Sequence, residues 1–304
     1  MSGMKRIVVA GGSGFIGEPL VRRLLGRGDD VAVLTRNPAN VRAGRALPWN
    51  PPSEGSWGGD VAASDVIINL AGENVGGGRW TEARKRRVME SRVFATTVLV
   101  FAMAREPDRP RTLINASAIG FYGDRGDEVL DEDSSPGTGF LTEVTKRWEE
   151  VARTAEPFAR VVILRLGVVL AADGGALAKL LLPFRLGAGG PMGSGRQWMS
   201  WIDREDVLRM FEWSIDHGSA RGIYNVTAPE PATNRDLAKA LGRALHRPAV
   251  LPAPAFALRL ILGAEMADEM LLSGQRVLPR RATEEGFQFG YPELDAALAH
   301  AVSG

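Results

Sequence analysis

Hydrophobic residues in the first two-thirds of the chain form short runs that are separated by longer amphipathic stretches. The runs are rich in valine and isoleucine, and they lie at 6–10, 31–35, 65–70, 112–117, 160–170 and 222–227. A continuous β-branched run of this length is typical of a strand that is buried on both faces of its sheet. The pattern therefore predicts a central sheet that helices cover on both sides.

The stretches between these runs repeat their apolar residues at helical spacing. After the first run, Ile16, Leu20 and Leu24 recur in this way before two glycines end the pattern. The same periodicity predicts helices at 81–105, 140–155, 203–218 and 233–248. Because buried strands alternate with helices, we expect an α/β fold with a doubly wound, mostly parallel sheet.

The regular alternation stops after about residue 170 and is replaced by glycine-rich and proline-punctuated segments. Residues 1–170 are predicted to form the main domain, to which 203–227 return. The segments 171–202 and 228–304 are predicted to form a smaller C-terminal lobe that binds the substrate and closes over the main domain. There is no internal repeat and no low-complexity linker.

Composition excludes several kinds of protein. The 304 residues include 37 basic and 36 acidic ones, so the net charge of +1 gives no reason to expect a nucleic acid or an anionic membrane as a partner. The chain has no cysteine, which excludes disulfides, zinc–thiolate sites and thiol nucleophiles. No apolar run reaches the length of a membrane span, and the short apolar run near the N-terminus is expected to be a strand rather than the core of a signal peptide. The expectation is a cytoplasmic protein without a metal site.

A glycine-rich turn between the first strand and the first helix carries the clearest chemical signal. Its spacing, G-x-x-G-x-x-G, lies where a phosphate-binding turn requires it, directly after a buried strand and directly before a helix. Glycines there allow a tight turn, let backbone N–H groups approach a pyrophosphate at the helix N-terminus, and let the helix pack closely on the strand. The predicted cofactor-binding residues of this turn are Gly11, Gly12, Ser13, Gly14, Phe15, Ile16 and Gly17.

The end of the second strand indicates which cofactor is bound. An NAD site expects an acidic residue there to accept hydrogen bonds from the ribose, but Thr35 and Arg36 stand in its place. A guanidinium can bind a 2′-phosphate through two hydrogen bonds, whereas a carboxylate would repel it. We therefore predict NADP(H) rather than NAD, with Thr35 and Arg36 as contacts.

Several stretches together resemble a known family. "GGSGFIG", "NLAG" (69–72) and "SAIGFYG" (117–123) resemble the extended short-chain dehydrogenase/reductases of the NAD(P)-dependent epimerase/dehydratase superfamily. "RWTEARKRRVMESR", "FLTEVTKRWE", "WMSWIDREDV" and the tail "ADEMLLSGQRVLPRRATEEGFQF" resemble an atypical subgroup, described as sugar-nucleotide epimerase-like, whose substrate is not established. The resemblance implies a Rossmann-like NADP-binding domain and a smaller substrate lobe. It also implies that Ala71 and Gly72 line the adenosine-ribose side of the cofactor.

The resemblance further implies a catalytic hydroxyl at the end of the fourth strand. Ser117 matches the superfamily's catalytic serine or threonine, although a shift of one residue would place Ala118 there instead. Tyr122 follows on the same loop. Our hypothesis places it near the nicotinamide as an assisting acid or base, with packing as the alternative.

A residue that this superfamily uses for proton transfer is absent. Its Tyr-x-x-x-Lys pair would stand at 142 and 146, and the chain has Thr142 and Lys146. A lysine four residues away on the same helix face lowers the pKa of a tyrosine toward the working pH, but it cannot do so usefully for an aliphatic hydroxyl. Lys146 would keep the role of donating to the nicotinamide ribose, while the usual acid is lost.

The substrate lobe offers tentative contacts in "GGPMGSGRQWMSWI" (189–202). Arg196, Trp198 and Trp201 form a basic and aromatic set of the kind that holds a nucleotide sugar in the superfamily. However, the superfamily's usual Arg-Asp-Tyr-Ile-His run reads "MSWID" here, which argues against that substrate. Both tryptophans could equally belong to the core.

Two functions follow from these observations. The first is an NADP(H)-dependent oxidoreductase or epimerase that acts by hydride transfer on a small polar, sugar-like molecule, with Ser117 polarising the reacting oxygen. The second is a catalytically weak or inactive NADPH-binding sensor or interaction protein. The resemblance also allows a homodimer, formed through the helices at 81–105 and 140–155.

Overall fold

The computed structural model describes residues 3–53, 55–109 and 111–303. Residues 1 and 304, at which the predicted domains begin and end, lie outside the described residues. The strands within the described part are β1 (Arg6–Ala10), β2 (Asp30–Thr35), β3 (Arg45–Pro48), β4 (Val66–Asn69), β5 (Thr112–Ala118), β6 (Val129–Leu130), β7 (Arg160–Leu166), β8 (Val168–Leu170), β9 (Trp198–Met199), β10 (Trp201–Asp203), β11 (Gly222–Val226), β12 (Ala232–Thr233) and β13 (Arg276–Val277).

Helices separate most of these strands. They are α1 (Gly17–Gly26), α2 (Trp57–Ala63), α3 (Glu82–Met103), α4 (Phe140–Arg153), α5 (Gly175–Arg185), α6 (Arg204–Asp216), α7 (Asn234–Leu245), α8 (Ala255–Leu262), α9 (Ala264–Ala267), α10 (Arg280–Glu284) and α11 (Leu294–Ser303). Short 3₁₀ turns lie at Pro38–Asn40 and Ile119–Tyr122, and a π turn lies at Asp268–Leu272. No described helix combines the length and the apolar character that a bilayer crossing requires.

Seven strands form one parallel sheet in the order β3-β2-β1-β4-β5-β7-β11. The predicted doubly wound fold is thereby confirmed. The direction of strand succession reverses between β1 and β4, and a crevice opens at such a point beyond the carboxyl ends of the strands. The sequence analysis missed β3, because "RALP" has neither β-branched residues nor a continuous apolar run.

Hydrophobic cores cover both faces of this sheet. On one face, Leu20 and Leu24 of α1 and Phe211 of α6 pack against the strands. On the other face, Leu99 of α3 and Ala152 of α4 do the same, together with residues of α2. The strands therefore need apolar residues at successive positions, which explains their continuous hydrophobic runs.

The run at 160–170 was predicted as one strand, and the structure divides it at Gly167. Before this residue, β7 lies between β5 and β11 in the main sheet; after it, β8 pairs with β10 in a separate two-stranded sheet. A Cβ atom on Gly167 would lie 2.5 Å from the carbonyl oxygen of Ser200, so only glycine fits here. The chain thus passes from the main sheet into the C-terminal part of the molecule at one glycine.

The C-terminal part has its own hydrophobic core. Leu177 and Phe184 of α5, Leu241 of α7 and Leu298 of α11 pack around Trp201. Thr233 caps α7 by accepting a hydrogen bond from the backbone N–H of Asp236 at 3.2 Å, in line with the capping serine or threonine expected at such a position.

Candidate functional site

The glycine turn lies at the carboxyl end of β1, beside the end of β4. Gly11 has a φ of +79°, and a Cβ atom there would lie 2.9 Å from the carbonyl carbon of Leu70. A Cβ atom on Gly17 would lie 2.3 Å from the carbonyl oxygen of Gly11. Gly14 is exposed, whereas Gly12 is buried, and no side chain caps the N-terminus of α1. The turn therefore presents an uncapped helix end at the crevice, which suits a phosphate group.

Thr35, the last residue of β2, and Arg36, the first residue after it, differ in their exposure to solvent. Thr35 is buried, and its hydroxyl accepts from the backbone N–H of Asn37 at 3.2 Å. Arg36 is exposed at the same edge of the sheet. The Thr35 hydroxyl therefore shapes the turn, and Arg36 is the one of the two predicted contacts whose side chain is exposed to a ligand.

Asn69, at the end of β4, positions the next loop and was missed by the sequence analysis. It is fully buried, and its amide nitrogen donates to Thr96 Oγ1 at 2.9 Å and to Asn115 Oδ1 at 2.7 Å. Its amide oxygen accepts from the backbone N–H of Ala71 at 3.2 Å. The polar residue within an otherwise apolar strand was the available signal. These bonds hold Ala71 and Gly72 at the crevice edge beside the glycine turn.

Arg92 of α3 lies directly behind this loop. Its Nη1 donates to the carbonyl oxygens of Glu73 at 3.1 Å and Val88 at 3.0 Å, and its guanidinium lies 5.1 Å from the centre of the Trp148 ring. A Cβ atom on Gly72 would lie 2.9 Å from the guanidinium carbon. Burial lowers the pKa of Arg92 to about 10. A side chain at position 72 would therefore displace the guanidinium of Arg92 from its buried position.

Ser117 does not face the crevice. Its side chain is buried, and its hydroxyl donates to Glu149 Oε1 at 2.7 Å. Ala118, the next residue of β5, is partly exposed. Because successive side chains of a strand point to opposite faces, the alternative of a one-residue shift fits the structure, and the predicted catalytic hydroxyl at Ser117 is corrected.

Tyr122 is also enclosed. Its hydroxyl donates to Asn225 Oδ1 at 2.7 Å and accepts from Arg165 Nη1 at 2.9 Å, and its side chain has no exposed area. Burial raises the pKa of Tyr122 to about 12. The hypothesis that it assists as an acid or base is corrected, because the phenol is removed from the crevice and harder to ionise than usual; the packing alternative fits.

Arg165 of β7 is the centre of this buried network. Its Nε and Nη2 donate to the two carboxylate oxygens of Glu149, each at 2.8 Å, and both side chains are almost fully buried. The guanidinium also lies 3.4 Å from the centre of the Phe121 ring. This bidentate pair joins β7 to α4 at the carboxyl edge of the sheet. A charged residue within the apolar run "RVVILRLGVVL" was the signal that could have revealed it.

Glu132 extends the network toward the C-terminal part. Its Oε1 accepts from the backbone N–H of Asn225 at 2.9 Å, and its side chain is buried. Burial raises the pKa of the Glu132 carboxyl, although the Asn225 N–H and the charge of Arg281 oppose this. The folded protein thus holds this proton more tightly than the unfolded chain, for which the pKa is about 4.3.

The sign of this shift predicts a pH-dependent effect of replacing Glu132 with glutamine. The stability that the wild-type carboxyl contributes is fully present below the unfolded pKa of about 4.3 and is lost as the pH rises through the raised folded pKa. We therefore expect the stability of Glu132→Gln relative to the wild type to increase as the pH rises over this window. The quantity compared is the difference between the two free energies of unfolding. Urea unfolding of both proteins at a series of pH values measures this difference, and a difference that stays constant with pH would contradict the prediction.

Thr142 and Lys146 on α4 have different surroundings. Thr142 is buried, and its hydroxyl lies 3.0 Å from the carbonyl oxygen of Gly120 and 3.2 Å from that of Thr138, to which it can donate. Thr142 therefore belongs to the interior, although it lies only one helical turn before Lys146. Lys146 is partly exposed and pairs with Glu143 at 3.3 Å, an interaction on the surface that leaves the ammonium available to a ligand.

Glu269, from the π turn in the C-terminal part, completes the start of α4. Its carboxylate accepts from the backbone N–H groups of Phe140 at 2.8 Å and Leu141 at 2.9 Å. A carboxylate at a helix N-terminus is stabilised by the helix dipole. Gly139 has a φ of +116°, and a Cβ atom there would lie 2.9 Å from the Glu269 carboxyl carbon. The C-terminal part is thus attached to the helix that bears Lys146.

The tentative substrate residues are not brought together as a set. Trp201 has no exposed area and belongs to the C-terminal core, so its prediction as a substrate contact is corrected in favour of the core alternative. Trp198 is partly exposed; its indole N–H donates to Asp127 at 2.7 Å, and Arg276 lies 4.5 Å from its ring centre. Arg196 is exposed. Within the described residues, no group of three or more acidic or histidine side chains is arranged to hold a metal ion.

Two family models match the chain. The model described as "NAD dependent epimerase/dehydratase family" matches residues 7–227, and a domain of unknown function, DUF1731, matches residues 253–301. The epimerase family protein ML0860 of Mycobacterium leprae is 40% identical over 302 residues, which cover 98% of this chain and 95% of that protein.

Solved structures show the same arrangement. The crystal structure of the human epimerase family protein SDR39U1 (isoform 2) with NADPH is similar, with a TM-score of 0.89, 35% identity and coverage of 98% of this chain and 99% of that chain. UDP-glucose 4-epimerase of Thermus thermophilus, solved with NAD, has a TM-score of 0.76 at 18% identity, covers 98% of both chains, and is similar in fold.

Proposed function

The chain belongs to the NAD-dependent epimerase/dehydratase family, and from this membership we propose that it binds NADP(H) in the crevice between β1 and β4. The similar human protein was crystallised with NADPH, which supports this choice of cofactor. We further propose that the protein is an oxidoreductase or epimerase whose substrate is a small polar molecule, with a sugar-like one as the first class to test.

The glycine turn is the observation that carries the proposal. Gly11 and Gly17 leave no room for a Cβ atom, and the turn presents an uncapped helix end to the point where strand succession reverses. This cradle fits a pyrophosphate. Arg36 then stands exposed at the end of β2 with no acidic residue beside it in the sequence, which favours a 2′-phosphate.

Lys146 is the residue that we assign to the ribose hydroxyls next to the nicotinamide. When bound, the cofactor would supply or accept a hydride. The segments 171–202 and 228–304 are proposed as the substrate lobe. Their attachment through Glu269 to the start of α4 supports this, because it fixes the C-terminal part relative to the helix that bears Lys146.

A second function, a cofactor-binding sensor with little or no turnover, is favoured by the enclosure of three hydroxyl groups. Ser117 and Tyr122 were the predicted hydroxyl groups for polarising or protonating a substrate oxygen, and Thr142 stands where the superfamily has its tyrosine. All three are buried and hydrogen-bonded inside the protein. Oxidation of NADPH across a panel of carbonyl compounds and nucleotide sugars distinguishes the two functions. Turnover that is lost in Lys146→Met and kept in Arg147→Met would favour the enzyme, and a silent panel would favour the sensor.

Replacing Arg36 with alanine is expected to raise the Kd for NADPH about 10-fold or more and to leave the Kd for NADH nearly unchanged. A charge-assisted hydrogen bond is worth about 1.5–3 kcal/mol, and only NADPH carries the 2′-phosphate. Fluorescence titration with both nucleotides measures the two constants. Arg147→Ala, which removes an exposed arginine from α4, is the control. Equal weakening of both nucleotides, or equal affinity of the wild type for both, would refute the assignment of Arg36.

A further inference from the structure

Seven of the twelve large apolar side chains that are exposed in the described residues lie in the segments 182–186 and 250–261. Each is 55–74% exposed, and α8, with the sequence AFALRLIL, has no buried residue. We call this set the apolar ridge; it consists of Leu182, Leu186, Val250, Leu251, Phe256, Leu260 and Ile261. A concentration of exposed apolar side chains on a water-soluble surface is typical of an interaction site.

Hydrogen bonds at both ends connect the two segments into one surface. At one end, the carbonyl oxygen of Arg185, the last residue of α5, accepts from Arg247 Nε at 3.1 Å. At the other end, residues 76–79 contact both helices: Gly76 O accepts from Lys179 of α5 at 2.7 Å, and the Arg79 side chain donates to Ile261 O of α8 at 2.8 Å. The exposed side chains of α5 and α8 therefore belong to the same face of the molecule.

The sequence segments that carry the ridge have an excess of positive charge. The segments 174–202 and 237–264 contain seven lysine or arginine residues and none of the 36 acidic residues of the chain. Arg243 and Arg259 have carboxylate partners, Asp295 and Asp268. The other five have none within the described residues; these are Lys179, Arg185, Arg196, Lys239 and Arg247. The net charge of +1 for the whole chain does not reveal this local excess, because these two sequence segments contain no acidic residue.

A shallow depression of ≈ 640 Å³ adjoins the ridge at Val250. Its lining consists of Lys239, Gly242, Arg243, His246, Arg247, Ala249 and Val250. Two of its cations, Lys239 and Arg247, have no carboxylate partner among the described residues. An anionic head group could enter this depression while its apolar chains remain beside the ridge.

We propose that the apolar ridge and its flanking cations bind the surface of an anionic lipid bilayer, with the ridge side chains entering the boundary between head groups and acyl chains. Apolar side chains flanked by an excess of cations without carboxylate partners are the combination that such surfaces attract. The attachment is peripheral and independent of the proposed cofactor chemistry.

Two other occupants fit less well. A second copy of the chain, related by a two-fold axis, would bring together two surfaces with the same excess of positive charge. A folded protein would need a groove that matches a raised helix without any buried residue, whereas lipid head groups rearrange around it. Charge and shape thus both favour the bilayer.

The test is co-sedimentation of the full chain with vesicles of phosphatidylcholine, with or without about one-third phosphatidylserine. We expect binding to the anionic vesicles, weak binding to the neutral ones, and a decrease at high salt. Leu260→Glu should lower the affinity about tenfold or more, since it places a carboxylate on the inserted face. Lys239→Glu combined with Arg247→Glu should lower binding to anionic vesicles and reduce its dependence on salt.

The matched control is Phe101→Glu, which puts the same charge on an apolar side chain of α3 that is 66% exposed and outside the ridge. It should leave vesicle binding unchanged, and all variants should keep the circular dichroism spectrum of the wild type because the positions are exposed. Absence of binding to anionic vesicles overturns the proposal. If the wild type does not bind and sedimentation velocity shows a dimer that Leu260→Glu dissociates, the ridge is an interface between two copies of the chain. If both the wild type and Leu260→Glu are monomers, the ridge is assigned to contact with another protein.

Discussion

Replacement of Glu149 with glutamine is expected to lower the free energy of unfolding by about 3–5 kcal/mol, because it leaves the buried guanidinium of Arg165 without its counter-charge. Both side chains are 1–3% exposed, and the pair is joined by two hydrogen bonds of 2.8 Å. The carboxylate also accepts from Ser117, so the amide would leave at least one buried donor without an acceptor. Urea unfolding measures the loss.

Glu150→Gln is the matched control for this variant. Glu150 is the next residue of the same helix and pairs with Arg147 at 3.0 Å, but both side chains are more than half exposed. Exposed pairs contribute about 0–1 kcal/mol, so we expect a change several times smaller than that for Glu149. If both variants lost the same free energy of unfolding, the buried pair would contribute no more to stability than the exposed pair.

Replacement of Gly17 with alanine is expected to weaken nucleotide binding strongly and to destabilise the protein. The added Cβ atom would lie 2.3 Å from the carbonyl oxygen of Gly11 and 2.7 Å from the Cα atom of Gly12. Because both atoms belong to the backbone, the turn and α1 must separate, and overpacking of this kind costs about 1–3 kcal/mol or more. We expect the affinity for NADPH to fall by about 100-fold, since the N–H groups of the turn would no longer converge.

Gly26→Ala tests whether this effect belongs to the turn. Gly26 is the last residue of the same helix, and a Cβ atom there would meet no atom within 4 Å. The variant should bind NADPH as the wild type does and should be equally or slightly more stable, because alanine favours the helix. Titration of both variants with NADPH, together with thermal melting, measures their affinities and stabilities. If Gly17→Ala bound NADPH as tightly as the wild type, the turn would not be part of the nucleotide-binding site.

The fold and the cofactor turn were predictable because both rest on local patterns. Strands buried on both faces need continuous apolar runs, and a phosphate-binding turn needs glycines at fixed spacing. The sheet order at β1 and β4 and the backbone contacts of Gly11 and Gly17 agree with those expectations. Where the pattern was weak, as in β3, the strand was missed.

The direction of individual side chains was less predictable. A shift of one residue along a strand moves a side chain to the opposite face, so the motif "SAIGFYG" could not decide between Ser117 and Ala118. Tyr122 and Thr142 have partners from distant parts of the chain, Asn225 and Gly120, which sequence patterns do not reveal. For this reason Ser117 and Tyr122, which are buried in the interior, were predicted to line the crevice.

Glu269 has a consequence for the synthesis of the protein. Its carboxylate accepts hydrogen bonds from the N–H groups of Phe140 and Leu141, 129 and 128 residues earlier in the chain. At about 5–20 residues per second, a ribosome needs roughly ten seconds to make the intervening chain. During that interval the N–H groups of Phe140 and Leu141 lack the carboxylate that accepts from them in the folded protein, so the first turn of the helix that bears Lys146 is completed only after residue 269 has been made.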